Sequence, residues 1–415
     1  MEILSTGEKI KRARIYKGIT LKELCEDKIS ISKMSCIENG KVKAEPWIIN
    51  IVAEKLDLDV KYLKQDVREQ IEKSLEKSLN NKEDKNFEED LKTYLSYAKD
   101  YKYYDLAFDI MHELFRFYLR DEKYDKVQDI ITDYYSLYQN YSKGAEEYFK
   151  DMAYYFYKSR EYIESITCIN RLREALKNDL NTELDCELLF AEGICYYRLG
   201  YDDEAYSIIF KAKEKSVNID NKLLKGQILG AFAAVMIEKE QRGAEKYMEE
   251  SEILLKDRAK ARCYLKETYG DKYFKIGKKD IAIKEIREAL DEFPQNQGAA
   301  YGDFLNKCVG TLIKNQEFDL AQHYSEMALN IAINCNNIKL IEKAYYLKGL
   351  ILQKKGMYLQ SEMYMNLSLD ALLKFGTKEE KYDRYLEMAN MYYILNETRE
   401  SLKYFTLALN LEKRL

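Results

Sequence analysis

Side chains that could bind an extended peptide recur along this chain at a nearly constant interval. Asn306, Gln353 and Asn390 carry amide groups that donate and accept hydrogen bonds at once, as an extended peptide backbone requires. Tyrosines could seat apolar peptide side chains, and an arginine could bind a terminal carboxylate. The candidate peptide-binding residues are Arg116, Tyr154, Tyr157, Tyr197, Asn306, Tyr346, Gln353 and Asn390. Each of them could instead pack against a neighbouring helix.

The sequence offers no comparable set of catalytic or metal-binding residues. Its glycines are isolated, so no phosphate-binding loop is predicted, and its only histidines are His112 and His323. The eight cysteines are scattered without a CxxC pair, which is typical of reduced, buried cysteines in a cytosolic protein. We therefore expect no enzyme, no cofactor and no metal site.

The candidate peptide-binding residues are placed by a small residue that returns about every 39 positions. Most candidates stand one or four residues after it, and two stand a turn earlier. A period of this size is typical of stacked helical hairpins, so each candidate belongs to the first helix of a hairpin. The series is Ala153, Gly193, Phe232 (a weaker match), Gly270, Val309, Gly349 and Ala389.

One unit of this series has a complete motif. After Gly270 come an aromatic residue at Tyr273, small residues at Ala282 and Ala289, and Pro294. In these residues the chain resembles the tetratricopeptide repeat family, which implies a right-handed superhelical solenoid of helical hairpins. We expect about eight hairpins between residues 90 and 415. An irregular all-helical domain is the alternative.

The N-terminal region has its own start and stop signals for five short helices. Thr20 with Glu23 forms a capping box, Ser30 can cap a helix, and Gly18 and Gly40 can end helices. The expected helices are Gly7 to Lys17, Thr20 to Glu26, Ser30 to Asn39, Pro46 to Leu56 and Val60 to Leu63.

This N-terminal module is basic within an acidic chain. Residues 1 to 43 hold about ten Lys and Arg against about six Asp and Glu, whereas the whole chain has a formal net charge of -5. The module resembles the helix-turn-helix of the Xre/Cro type in the strings Gly18-Ile19-Thr20, Glu23-Leu24 and Ser35-Cys36-Ile37-Glu38-Asn39-Gly40-Lys41. The resemblance implies that its third helix enters the major groove of double-stranded DNA.

The position of each residue in that motif implies its role. The residues that would face base edges are Ile31, Ser32, Lys33 and Cys36. The residues that would contact phosphates are Thr20, Lys22, Lys41 and Lys43. Two positions depart from the motif, since Leu21 replaces the usual Gln and Cys36 a frequent Arg, and one contact is lost at each. The alternative is a helical cap that does not bind DNA.

The turn before the third helix is short and has no glycine, running Glu26-Asp27-Lys28-Ile29-Ser30. With the repeats that follow, the chain resembles the RRNPP group of peptide-pheromone receptors, which includes the Rgg and PlcR regulators. The resemblance implies a quorum-sensing transcription regulator, a homodimer that binds promoter DNA. It also implies that the concave groove of the repeats binds a short linear signalling peptide.

Three domains are expected on this basis: a DNA-binding domain at 1–65, a linker helix and hinge at 66–89, and a repeat domain for peptide binding and dimerisation at 90–415. Ile71, Leu75 and Leu79 are spaced by four in the linker, which could equally be a charged, solvated helix without a role.

No segment has the apolar length of a signal peptide or a membrane span, so a cytoplasmic protein with no membrane contact is expected. The rival function is a repeat-based scaffold that grips a response regulator or a kinase, with an N-terminal module that does not bind DNA.

Overall fold

The computed structural model describes residues 3–26, 28–82, 84–177 and 179–412. Over these residues the chain folds into 23 α-helices and contains no strand. The predicted all-α class is therefore confirmed. The chain divides into two compact units, Met1–Leu180 and Asn181–Leu415. No helix among the described residues has both the length and the apolar character that a bilayer crossing requires.

Five short helices open the first unit, as the sequence predicts. They are α1 Thr6–Tyr16, α2 Leu21–Cys25, α3 Ile31–Glu38, α4 Pro46–Leu56 and α5 Val60–Lys64. Thr20 and Glu23 form the expected capping box at α2, and the hydroxyl of Ser30 accepts from the backbone N–H of Lys33 at α3. Gly18 and Gly40 end their helices with positive φ values of 68° and 70°.

One apolar core holds these five helices together. Its fully buried side chains include Ile10, Leu24, Met34, Ile37, Ile48, Val52 and Leu56. Residue 27, in the short turn before α3, lies outside the described residues.

The predicted linker helix is α6 Val67–Leu79, and it packs against α7 Phe87–Asp100. The carboxylate of Asp66 caps α6 by accepting from the backbone N–H of Glu69 at 2.8 Å. Ile71 and Leu75 are buried, so this helix is a packed element of the first unit and not a solvated spacer. The expected start of the repeats at residue 90 falls inside α7, and the three-domain division stays a prediction.

Eight helical hairpins follow, in agreement with the number predicted. The first unit contains α8 Tyr104–Arg120, α9 Tyr124–Asn140, α10 Ala145–Lys158 and α11 Tyr162–Ala175. The second unit contains α12 Thr182–Leu199, α13 Asp202–Ser216, α14 Lys222–Glu238, α15 Ala244–Leu254, α16 Ala259–Lys275, α17 Lys279–Glu292, α18 Gly298–Lys314, α19 Phe318–Asn334, α20 Ile338–Lys354, α21 Tyr358–Phe375, α22 Lys378–Ile394 and α23 Thr398–Glu412.

The periodic small residues lie where the two helices of a hairpin cross. A Cβ atom on Gly193, Gly270 or Gly349 would come within 2.6, 2.7 or 2.8 Å of the second helix of the same hairpin. Where the second helix has a serine twelve residues later, its hydroxyl donates to the carbonyl of the small residue. Ser361, for example, donates to Gly349 O at 2.8 Å, and Ser401 donates to Ala389 O at 2.9 Å. The repeat spacing thus encodes both close approach and a recurring hydrogen bond.

A left-handed residue seven positions after the small residue turns the chain between the two helices. Gly200, Gly277 and Gly356 have φ values of 81°, 76° and 77°, and non-glycine residues fill the other turns. In the fourth hairpin the left-handed residue is Glu240, which lies seven residues after Ala233. The periodic residue there is thus the fully buried Ala233, and the sequence register at Phe232 was wrong by one position. The bulky Phe232 beside Ala233 had hidden the small residue in the sequence pattern.

Candidate DNA interface and candidate peptide-binding residues

The surface expected to read base edges is formed by one side of α3. Ile31 and Ser32 are exposed, and Lys33 and Cys36 are partly exposed. Behind them, Arg14 holds α3 by donating from Nε and Nη2 to the two carboxylate oxygens of Glu38, at 2.7 and 2.9 Å. Arg14 and Glu38 therefore pair with each other and support this surface from behind.

Lys33 has an intramolecular partner that the sequence motif does not indicate. Its Nζ donates to Oε1 of Glu45 at 2.9 Å and lies 5.6 Å from the ring centroid of Trp47, whose indole N–H also donates to Glu45. These hydrogen bonds, that of Lys33 first, lower the pKa of the Glu45 carboxyl. The pair is a surface contact, because the side chains of Lys33 and Glu45 are 34% and 51% exposed.

The residues expected to contact phosphates lie at the edges of this surface. Lys22, Lys41 and Lys43 are exposed, and none forms an ion pair with a described residue. Thr20 is also exposed, but its hydroxyl is occupied by the capping box with Glu23. The three lysines therefore present uncompensated positive charge around α3, as contact with a phosphate backbone requires.

Hydrogen bonds hold the module that bears α3 together and also connect it to α6. Lys9 is only 2% exposed, and its Nζ donates to the carbonyls of Tyr62 and Gln65 at 2.8 and 2.7 Å. A cation beside helix-terminal carbonyls is favourable. The amide of Gln70 in α6 also bonds both the N–H and the carbonyl of Leu4, at 3.3 and 2.8 Å.

A second contact links α6 to the first repeat hairpin. Arg68 in α6 donates from Nη2 and Nη1 to the carboxylate of Asp105 in α8, at 2.6 and 3.2 Å. This hydrogen bond and that to Glu72 raise the pKa of Arg68. Arg68 thus connects α6 directly to α8.

Three of the eight candidate peptide-binding residues lie in the first unit. Arg116 is exposed on α8 and pairs with no described residue. Tyr154 is 50% exposed on α10, with Lys158 Nζ 5.5 Å from its ring centroid. Tyr157 is partly buried, and its ring centroid lies 5.7 Å from that of Tyr162. Arg116 and Tyr154 are accessible to a ligand, whereas Tyr157 packs locally.

Two candidates in the second unit are engaged in contacts between repeats. The hydroxyl of Tyr197 accepts from Lys272 Nζ at 2.6 Å, and Lys272 also contacts Glu238. Tyr346 donates to Glu387 at 2.8 Å and stacks under Arg384, whose guanidinium lies 4.0 Å from the ring centroid. Tyr346 thus joins two neighbouring hairpins, and Tyr197 contacts the hairpin after the next one, so both hydroxyls already have partners within the protein.

Two of the three amide-bearing candidates in the second unit have buried polar atoms without a hydrogen-bond partner among the described residues. Asn306 in α18 is 4% exposed, yet neither its Oδ1 nor its Nδ2 has a hydrogen-bond partner among the described residues. The buried Nε2 of Gln353 in α20 also lacks one. Asn390 in α22 is exposed. An unpaired buried amide costs about 1–3 kcal/mol, so a ligand that pairs with it recovers that free energy.

Ion pairs between α16 and α18 adjoin Asn306 and were missed in the sequence. Lys307 and Thr311 both contact Glu267, and Lys314 Nζ donates to Asp271 at 2.8 Å. Acidic residues four apart on α16 and basic residues seven apart on α18 are the signal that could have revealed them. These contacts fix the two helices relative to each other.

No protein-family model matches this sequence, and no curated protein does either. Several solved structures do. The apo form of the quorum sensor NprR from Bacillus thuringiensis is 16% identical, with a TM-score of 0.46 over 84% of this chain and 100% of NprR.

Two further solved structures are similar in the same way. A Rap protein complexed with Competence and Sporulation Factor is 12% identical, with a TM-score of 0.49 over 83% of this chain and 98% of that one. PlcR from Bacillus thuringiensis, in complex with the peptide PapR7 and DNA, is 16% identical, with a TM-score of 0.36 over 64% of this chain and 98% of PlcR.

At these identities and TM-scores, the similarity to NprR, the Rap protein and PlcR concerns the helical fold alone.

Proposed function

We propose that this protein is a cytoplasmic transcription regulator that binds promoter DNA as a homodimer. A short linear signalling peptide, bound along the repeats, changes its affinity for DNA. Its action is binding and not catalysis.

The arrangement around α3 carries the DNA-binding half of the proposal. Ile31, Ser32 and Lys33 stand together on the outer side of a short capped helix, and unpaired lysines flank them. The major groove of B-DNA admits one helix, and lysines on either side of it would reach the phosphates. Replacing Glu45 as the partner of Lys33 costs little free energy, because exposed ion pairs contribute about 0–1 kcal/mol.

The unpaired amides of the second unit support the peptide half of the proposal. Among the described residues, neither polar atom of the Asn306 amide has a partner, nor does the buried Nε2 donor of Gln353, and both residues follow the repeat spacing. An extended peptide presents N–H and C=O groups at regular intervals, so it can satisfy such amides along successive hairpins. PlcR is solved with a peptide, and so is a Rap protein with Competence and Sporulation Factor; we extend that mode of regulation to this chain as part of the proposal.

The DNA-binding half is tested with fragments from upstream of the protein's own gene and of neighbouring genes. The purified protein should bind specific fragments at low salt, and its affinity for them should fall steeply as the salt concentration rises. Lys33→Ala should weaken specific binding by about 1–3 kcal/mol. Trp47 is the only tryptophan of the chain and adjoins Lys33, so its fluorescence should change on binding.

Glu45→Gln is the matched control, because it releases Lys33 without removing it. This variant should bind specific DNA as well as the wild type or up to about fivefold more tightly. Light scattering of the retained complex should give two protein chains per fragment. If wild type and Lys33→Ala both bind the DNA fragments negligibly at low salt, the rival function is favoured, which is a scaffold that binds a response regulator or a kinase.

A further inference from the structure

Gly310 lies inside α18, and no packing contact requires glycine at this position. A Cβ atom built on Gly310 meets nothing within 4 Å, and its φ is not in the left-handed region. Every other glycine inside a repeat helix would place its Cβ within 3.2 Å of a neighbouring side chain; these are Gly193, Gly226, Gly230, Gly270, Gly302 and Gly349. Glycine destabilises a helix interior relative to alanine, so Gly310 weakens α18 with no gain within the described protein.

Asn306 stands one helical turn before Gly310 on the same side of α18. It is 4% exposed, and both polar atoms of its amide lack partners among the described residues. A buried amide in this state is also unfavourable for the free protein. Two positions one turn apart therefore both lower the stability of α18. Contact with a ligand would explain why the chain has these residues there.

The side chains that flank Gly310 are held away from the open space. Lys307, three residues before it, contacts Glu267, and Lys314, four residues after it, donates to Asp271 at 2.8 Å. Both acidic partners belong to α16, so the two lysines are directed to that helix. The backbone of α18 at Gly310 is left uncovered between them.

We infer that Gly310 determines the specificity of the proposed peptide site. One residue of the peptide crosses α18 in direct contact with the helix backbone at Gly310, and its own backbone amide pairs with Asn306. Because position 310 has no side chain, the peptide residue at the crossing can have a large apolar side chain. The inference rests on the proposed peptide-binding function and names the feature of the peptide that the site selects.

Gly310→Ala tests this inference, with an equimolar pool of synthetic heptapeptides randomised at every position as the probe. Bound peptides are identified by mass spectrometry, and their affinities are then measured one by one. The wild type should enrich large apolar residues at one peptide position. Gly310→Ala should raise the melting temperature by about 2 °C, because alanine favours the helix and meets no neighbour.

The same variant should bind the peptides selected by the wild type at least about tenfold more weakly, since an added methyl group fills the contact. It should also enrich smaller residues at the same position. Gly302→Ala, two turns earlier in α18, is the control: its Cβ would crowd Ile331 at 3.2 Å, so it should not raise the melting temperature or alter peptide selection.

The outcomes separate the inference from the proposed function. If the wild type binds no peptide of the pool, the proposed peptide-binding function fails and the inference fails with it. If the wild type binds peptides and Gly310→Ala binds the same ones equally well, the inference alone is overturned. A lower melting temperature for Gly310→Ala would overturn its premise that glycine is not needed for packing.

Discussion

Lys33 shows how a residue can be correctly placed by a motif and still have a partner that the motif does not indicate. The structure puts it on the exposed side of α3, as expected, but bonds it to Glu45. In the proposed complex, DNA therefore competes with the carboxylate of Glu45 for Lys33. That competition is weak because both side chains are substantially exposed, so Lys33 keeps its proposed role in base recognition.

Glu285 in α17 makes the stability of the second unit depend on pH. Burial raises the pKa of Glu285 to about 7; Lys266 opposes this shift, and Glu288 and Glu252 add to it. The folded state holds this proton more tightly than the unfolded state, whose carboxyl has a pKa of about 4.3. The stabilisation is therefore complete below the unfolded value and is lost as pH rises through about 7.

Glu285→Gln should remove this part of the pH dependence. Relative to wild type, the variant should gain about 2 kcal/mol in free energy of unfolding between pH 5 and pH 8. Urea titrations of both proteins at several pH values measure the difference. Glu249→Gln, which changes an exposed carboxylate on α15, is the control and should follow the wild type. A difference between Glu285→Gln and wild type that does not vary with pH would contradict the assignment.

At the scale of elements, three positions set most of the repeat hairpins. A small residue allows the helices to cross, a residue twelve positions later meets it, and a left-handed residue seven positions after it makes the turn. Two of these requirements are visible in the sequence as small side chains. The third is not, because Glu122, Arg160, Gln316 and Asn396 occupy a conformation that glycine would adopt without strain.

Gln316→Gly should stabilise the second unit. Gln316 has a φ of 65°, and its exposed side chain forms no hydrogen bond with a described residue, so nothing is lost with it. Relief of the left-handed strain should exceed the added entropy of the unfolded chain, for a gain of about 0.5–1 kcal/mol. Thermal unfolding measures the change.

The matched control is Gly277→Ala in another repeat turn. An alanine Cβ at that position meets nothing within 4 Å, so its only effect is on a backbone with a φ of 76°. It should lower the free energy of unfolding by about 1 kcal/mol. Opposite signs for the two substitutions are expected, and equal signs would show that side-chain contacts and not backbone strain control these turns.

At the scale of the whole molecule, α6 joins the N-terminal module, for which DNA binding is proposed, to the repeats of the first unit. Gln70 in α6 forms a hydrogen bond with Leu4, which precedes α1, and Arg68 in α6 forms one with Asp105 in α8. A ligand bound to the repeats can alter DNA affinity only by binding differently to two states of the protein. The contact between Arg68 and Asp105 joins α6 to the first repeat hairpin, so we expect it to differ between two such states.

Arg68→Ala should uncouple the two proposed activities. The variant should retain the DNA and peptide affinities of the separate modules, but a selected heptapeptide should no longer change its DNA affinity. In the wild type that change should be about 5–150-fold, the usual range of such coupling. Fluorescence anisotropy of labelled DNA with and without peptide measures it. Lys73→Ala, an exposed change on the same helix, is the control, and persistence of full coupling in Arg68→Ala would show that the signal takes another route.

The sequence by itself determined the elements of this protein and their order. Caps such as Thr20 with Glu23, the helical spacing of Ile10, Met34 and Val52, and the period of about 39 residues all act within one or two helices. Contacts of that range depend on residue spacing alone, so the five N-terminal helices and the number of hairpins could be predicted. The register failed only at Phe232, where a bulky residue adjoined the small one.

The tertiary structure alone decided which candidate side chains are available. Tyr197 accepts a hydrogen bond from Lys272, which lies 75 positions away, and Tyr346 donates one to Glu387. The amide of Asn306, by contrast, has no partner among the described residues. Spacing places a residue on one side of a helix, but it does not show which side chain of another hairpin reaches it. That depends on how the hairpins pack, because the competing partners come from distant parts of the chain.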